Sequence, residues 1–222
     1  GELGAEVGVI ITNRSGAGII DKARSHRVPY MFLSAKGLEH AQYDRRILQI
    51  LSMHEIDIVF LVGYMKIVSP VLVEAYKGRM FNIHPSLLPK FGGKMDLDVH
   101  SEVINAGEYS TGCTLHEVDN EVDGGKIVMQ KQIFFKQYEE EERETRKLKI
   151  KQKFEIDTKD PNVLKRLVQN LEKETIVEFV RIYRNELWNV ERNSEKSFEK
   201  ITYQDAGVDI DKADQFVGFI KA

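Results

Sequence analysis

One stretch limits the fold more than any other: Asp57-Ile58-Val59-Phe60-Leu61-Val62-Gly63. Its apolar residues are consecutive, so a strand here is buried on both faces. A strand covered on both faces lies inside a sheet with helices above and below it, which is the layout of an α/β protein. The neighbouring sequence supplies the other layers. Val7 to Ile11 and Val28 to Leu33 read as strands, with a helix from Ile19 to His26 between them. Ala41 to His54 carries Tyr43, Ile47, Ile50 and Leu51 on one face, as an amphipathic helix does. Pro70 opens a short helix to about Tyr76, and Met80 to His84 is the next strand.

The second half differs. Val99 to Ala106 reads as a helix ending at Gly107. Thr111 to Val118 and Lys126 to Phe135 read as strands joined by the short acidic loop that holds Gly124 and Gly125. So short a connection predicts antiparallel pairing. Asp160-Pro161 starts a helix by N-cap and first-turn proline. Leu164, Val168, Leu171, Phe179 and Val180 belong to its apolar stripe, and it ends near Trp188.

Before that helix, Glu139 to Lys153 is a dense run of both charge signs. Glu139/Arg143 and Glu142/Arg146 have helical spacing, whereas Leu148, Ile150, Phe154 and Ile156 alternate with polar residues. The reading is a projecting β-hairpin, inserted at about 134–153, with a solvated tip rather than a nucleic-acid arm. The expected fold class is α/β: a mostly parallel sheet flanked by helices, an antiparallel C-terminal part and this inserted charged hairpin.

Composition removes several function classes. The chain has 32 Lys+Arg against 35 Asp+Glu, a net charge of -3, which provides no basic field for nucleic acid. Its one cysteine, Cys113, excludes an intrachain disulfide and a cysteine-only zinc site. No apolar run approaches the roughly 20 residues of a membrane span. The first residues lack a basic n-region, so no signal peptide is expected. The expectation is a soluble, cytoplasmic protein with neither membrane nor nucleic acid as partner.

Ser15-Gly16-Ala17-Gly18 follows a strand and precedes a helix, but Asp21 stands where a dinucleotide motif needs its third glycine. It reads as a plain turn. His26, His40, His54 and His100 are isolated, no HExxH pair exists, and no metal site is expected. Asn82-Ile83-His84-Pro85-Ser86-Leu87-Leu88-Pro89 is different. Asn82 and His84 leave the same face of a strand at its carboxyl end, where open α/β sheets bind ligands. An amide donor beside an imidazole can stabilise an oxyanion and move a proton. A capping asparagine and a buried, satisfied histidine fit the same spacing, which leaves the two readings level. Asp123 precedes two glycines, so its loop can turn the carboxylate inward; the same residue could simply stabilise the turn. Gln169 and Glu172 lie one turn apart on the last helix.

The Asn82–Pro89 motif resembles the signature of the 10-formyltetrahydrofolate-dependent formyltransferases, most closely the branch that acts on phosphoribosylglycinamide (GAR) in purine biosynthesis. Gly63 to Pro70 resembles that family's folate-pocket strand end. Gly112 to Val118 with Val122 to Ile127 resembles its second signature, and Val168 to Glu172 its final-helix motif. The similarity runs from about Val7 to Tyr183 in unbroken order. It implies a Rossmann-like formyltransferase fold, 10-formyltetrahydrofolate as cosubstrate, GAR as substrate and no metal. It also implies Asn82, His84 and Asp123 as catalytic residues, with Asn82 and Asp123 touching the folate too. Met65, Lys66, Ile67 and Val68 match the folate-contacting segment, and Gln169 and Glu172 match contacts to the phosphoribosyl substrate.

Three departures stand out. The family's first strand and its Gly-x-Gly-Ser-Asn phosphate turn have no match here, so Val7–Ile11 and Asp57–Gly63 are expected to lack a partner strand between them. The chain is accordingly expected either to fold poorly or to bind GAR far more weakly than the folate, with Lys90 or Lys94 the alternative holders of its phosphate. His40 stands where the family often has arginine, and the charged hairpin is an insertion. Residues 1–190 are thus read as a formyltransferase domain without its family's first strand, and 191–222 as linker and tail. Ile201 to Asp211 in that tail resembles the start of phosphoribosylformylglycinamidine cyclo-ligase (AIR synthetase), as in a fused polypeptide.

Two rival readings remain. One is another 10-formyltetrahydrofolate enzyme. Methionyl-tRNA formyltransferases usually follow Leu-Leu-Pro with Arg-Gly, whereas Lys90-Phe91-Gly92 stands here; deformylases usually carry a second histidine where Pro85 stands. The other is an inactive scaffold or regulatory module of a fused enzyme.

Overall fold

The computed structural model describes residues 3–94, 97–134 and 160–191, with side chains of the last helix described to residue 184. The order is β1 (Ile10–Thr12), α1 (Ile19–Ser25), β2 (Tyr30–Phe32), α2 (His40–Met53), β3 (Val59–Val62), α3 (Pro70–Ala75), β4 (Met80–His84), α4 (Leu97–Asn105), β5 (Ser110–Glu117), β6 (Ile127–Phe134) and α5 (Pro161–Glu191). The expected alternation of strands and helices is present, and β4 has the expected bounds. β1 is shorter than expected and starts later, where the Ile10 N–H donates to the Pro29 carbonyl at 3.0 Å. The charged hairpin beyond Phe134, the linker from 192 and the resemblance at 201–211 all lie outside the described residues.

β1 and β2 pair in parallel, as do β3 and β4. β4–β5 and β5–β6 are antiparallel. Among the described residues no ladder joins the β1–β2 pair to the four-stranded β3-β4-β5-β6 sheet. Isolated bridge positions occur at Glu6 and Ile58, just ahead of β1 and β3.

The β3 segment explains the layering. Val59 and Leu61 join a core with Ile47, Leu51 and Leu72 from α2 and α3. Ile58 and Phe60 point the other way and pack with Phe81, Leu115, Val168 and Phe179 under α5. Both faces are covered, as the unbroken apolar run predicts. Along β4 the same alternation sends Phe81 and Ile83 towards α5, while Met80 packs on the α2–α3 side. Asn82 and His84 share the Met80 face and follow it towards the strand's carboxyl end. α3 begins at Pro70 after Ser69. The Ser69 N–H donates to buried Asp44 of α2 at 2.5 Å, satisfying a helix-terminal donor. That bond anchors the end of the segment from Gly63 to Val68.

Candidate active site

β4 carries Asn82 and His84 to the floor of a cavity of about 550 Å³. β5 pairs with it in a register that sets His116 opposite Asn82. The loop after β5 then folds back. The Glu117 N–H donates to the Lys126 carbonyl at 2.9 Å, and a side chain on Gly125 would collide with the Glu117 carbonyl. Asp123 takes a left-handed φ of 55°, which turns its carboxylate inward. The expected sharp bend is therefore made partly by Asp123 itself.

Two side chains and one backbone N–H meet on that carboxylate. His84 Nδ1 is 3.3 Å from Asp123 Oδ2, and His116 Nε2 is 3.5 Å from Oδ1. The Gly93 N–H donates to Oδ2 at 2.8 Å. The second ring nitrogen of His84 lies 3.2 Å from the Phe91 carbonyl, at a residue with φ of 61°. Asn82 Nδ2 lies 3.1 Å from His116 Nε2. His84 and His116 are buried, and Asp123 is 13% exposed, so these contacts are only partly screened.

The charges follow from this packing. The Asp123 carboxyl is held below its ordinary value first by its contact with the His116 ring, then by the Gly93 N–H and by His84, against the opposing effect of burial. Burial pushes the His84 imidazole below its ordinary value; Asp123 and the Phe91 carbonyl pull it back only in part. Asp123 favours the charged form of His84, but desolvation outweighs it. Both ring nitrogens of His84 also face protein acceptors, so neither is left pointing into open space.

The remaining predicted residues line the same cavity. Met65, Lys66, Ile67 and Val68 form one wall, and Gln169 and Glu172 from α5 form another. Met65 and Ile67 are 54% and 61% exposed, an apolar rim that a flat ligand could cover. Lys66 lies over the Tyr43 ring at 5.8 Å. Of the proposed alternative phosphate holders, Lys90 pairs with Glu108 at 2.7 Å and does not line the cavity. Lys94 does line it, paired with Glu102 at 2.8 Å. Arg14 and Lys165 are further cations on its wall.

Sequence reasoning missed several contributors. In the sequence His116 reads as a polar partner of Asp123, and the fold does bring the two together, but its contact with Asn82 had no local signal. His100, read as an isolated histidine, is buried on the cavity wall. Phe91 and Gly93 act through backbone atoms, for which side-chain identity carries little signal.

Burial pushes the Glu172 carboxyl up to about 7, against the pull of Lys173 and Lys165. The folded state therefore keeps the Glu172 proton from the unfolded value of 4.5 up to about 7, and stability falls as pH rises through that window. Glu172→Gln removes the penalty. It is expected to raise the thermal midpoint at pH 8 by a few degrees, at about 2–4 °C per kcal/mol, and to leave it unchanged near pH 5. Melting curves at the two pH values decide this; equal shifts at both would mean that Glu172 is well solvated.

No helix among the described residues is long and apolar enough to cross a membrane. The profile of the formyl transferase family matches residues 1–158. The chain is 37% identical over 130 residues to the bovine (Bos taurus) trifunctional purine biosynthetic protein adenosine-3, covering 58% of this chain and 13% of that protein. It is 35% identical over 134 residues to phosphoribosylglycinamide formyltransferase of Haemophilus influenzae, covering 60% and 62%. It thus spans less than two thirds of these relatives. The phosphoribosylglycinamide formyltransferase structure from Bacillus halodurans superposes with a TM-score of 0.62 at 31% identity, over 78% of each chain. The Streptococcus pneumoniae enzyme of that name superposes with a TM-score of 0.63 at 28% identity, over 78% of this chain and 84% of that one. A family match over most of the sequence, with the same α/β architecture beneath it, places this chain in the formyl transferase family.

Proposed function

We propose that this chain transfers a formyl group from 10-formyltetrahydrofolate to the amine of 5-phosphoribosylglycinamide. The observation that carries the reading is the cluster of Asn82, His84 and Asp123 on one cavity whose rim carries the exposed apolar side chains of Met65 and Ile67. Relatives named phosphoribosylglycinamide formyltransferase support the choice of substrate.

In this reading Met65 to Val68 hold the folate ring, and Gln169 and Glu172 hold the ribose. Arg14 and Lys94, both on the cavity wall, offer positive charge to the substrate phosphate. As the amine attacks the formyl carbon, its oxygen gathers negative charge, and the Asn82 amide donates to it. Preorganised donors in a dry cavity lower such a barrier because they need not reorient during the reaction. Protonated His84 is the second donor, with its Nε2 proton released from the Phe91 carbonyl to the substrate. Asp123 stabilises that charged form and collects the amine's proton, while His84 supplies one to the leaving nitrogen.

The test is a spectroscopic assay of folate deformylation with and without GAR. Product formation that requires GAR, with GAR converted to its formyl derivative, is the expected result. Folate deformylation that proceeds equally without GAR would instead identify water as the acceptor and sink the reading. A chain that binds neither ligand would support the scaffold alternative.

A further inference from the structure

We propose that His116 is a positioning residue that fixes the orientation of the Asn82 amide; the kinetic consequence rests on the formyltransferase reading, the hydrogen-bond assignment does not. His116 sits opposite Asn82 on the neighbouring strand and is 3% exposed. Its Nδ1 lies 2.9 Å from the backbone carbonyl of Glu117. A carbonyl can only accept, so Nδ1 carries the ring hydrogen. In the neutral ring, Nε2 is then a bare acceptor. The Asn82 Nδ2 donor lies 3.1 Å from it, a distance suited to an N–H···N bond.

Asp123 Oδ1 makes the opposite demand on the same nitrogen. A proton on Nε2 would suit that oxygen, but at 3.5 Å the contact is longer than a good hydrogen bond. It would also set one N–H against another at Asn82. The neutral Nδ1–H form satisfies both Glu117 and Asn82.

The consequence lies with Asn82. An amide is nearly symmetric in shape, so only its hydrogen bonds decide which end is nitrogen. With one amide hydrogen held by His116, the group cannot turn over, and the other hydrogen is available for a developing oxyanion. Without His116 the oxygen could occupy the donor position. His116 thus acts through Asn82 and needs no contact with the substrate.

Two measurements on the full chain test this. Long-range nitrogen–proton NMR reads the ring directly: His116 should show the Nδ1–H form with Nε2 unprotonated, and a protonated Nε2 overturns the proposal. This arm stands even if GAR proves not to be the substrate. The second arm is a double-mutant cycle. His116→Phe keeps the ring and removes the acceptor, and should lower kcat about tenfold while leaving the folate KM within about threefold. In an Asn82→Ala background the same change should cost less than about twofold. Equal costs in both backgrounds would show that His116 acts independently of Asn82 and overturn the proposal.

Discussion

Asp123→Asn lowers turnover by about 10²–10³-fold, the scale seen when one preorganised electrostatic group is removed from an active site. The change is nearly isosteric, so the turn at Asp123 and its inward direction can persist. What disappears is the negative charge beside His84 Nδ1 at 3.3 Å. Burial already pushes the His84 imidazole down, and Asp123 is the largest opposing influence. Without it the charged imidazole becomes rarer, and with it the acid that the proposed mechanism needs for the leaving nitrogen. The pH profile supplies a signature. Activity that depends on charged His84 rises as pH falls through a value below 6.5. In Asp123→Asn that limb moves to still lower pH.

The stability cost is expected to be modest and to be greatest at neutral pH. Asp123 has a depressed pKa, so its contribution is present above the unfolded value and is lost as pH falls through the folded one. The amide forfeits that contribution. A midpoint shift of about 2–4 °C corresponds to one kcal/mol in a domain of this length. Steady-state kinetics from pH 5 to 8, with melting curves alongside, measure both effects. A variant that keeps more than about a tenth of wild-type turnover would remove Asp123 from the mechanism.

Phe81→Ala is expected to destabilise the fold by about 3–5 kcal/mol, the usual cost of deleting a fully buried aromatic ring. Phe81 is 2% exposed and sits at the centre of the packing between β4 and α5. Its ring lies 4.6 Å from Phe179, and 5.8 Å from both Phe60 and Tyr183. Residues from β3, β4 and α5 therefore lose a shared neighbour at once. The remaining rings are tilted against one another rather than stacked in parallel, so they cannot close the gap by sliding together. Urea unfolding should show a lower midpoint with an unchanged slope, because the surface exposed on unfolding barely changes. A loss below about 1.5 kcal/mol would mean that this aromatic cluster repacks freely.

Much of this architecture was legible before any coordinates. Periodicity is local, and a strand or helix writes it into adjacent residues. The unbroken run around Phe60 announced a strand with both faces covered, and Phe60 and Leu61 do pack on opposite sides. The two-residue spacing of Asn82 and His84 put them on one face. The glycines after Asp123 announced a sharp bend, and the stripe on α5 announced the helix that covers Phe81. These follow from backbone geometry and side-chain polarity within a few residues.

The tertiary structure decided the rest. His116 meets Asn82 from 34 positions away, and only the antiparallel register of β4 and β5 brings them together. A slip of one residue would turn His116 to the other face of the sheet. The Phe91 carbonyl and Gly93 N–H reach His84 and Asp123 through a loop whose backbone direction no side-chain pattern encodes. The charge states were equally hidden. A carboxylate beside a histidine ordinarily raises the imidazole pKa, yet burial reverses the sign at His84 and lifts Glu172 to about 7. Desolvation is the summed effect of every group packed around a side chain, and most of those groups are distant in sequence. The sequence by itself determined that Asn82 and His84 share a strand face and that Asp123 sits in a bend; the closed fold determined which partners each one meets and how far burial shifts its charge.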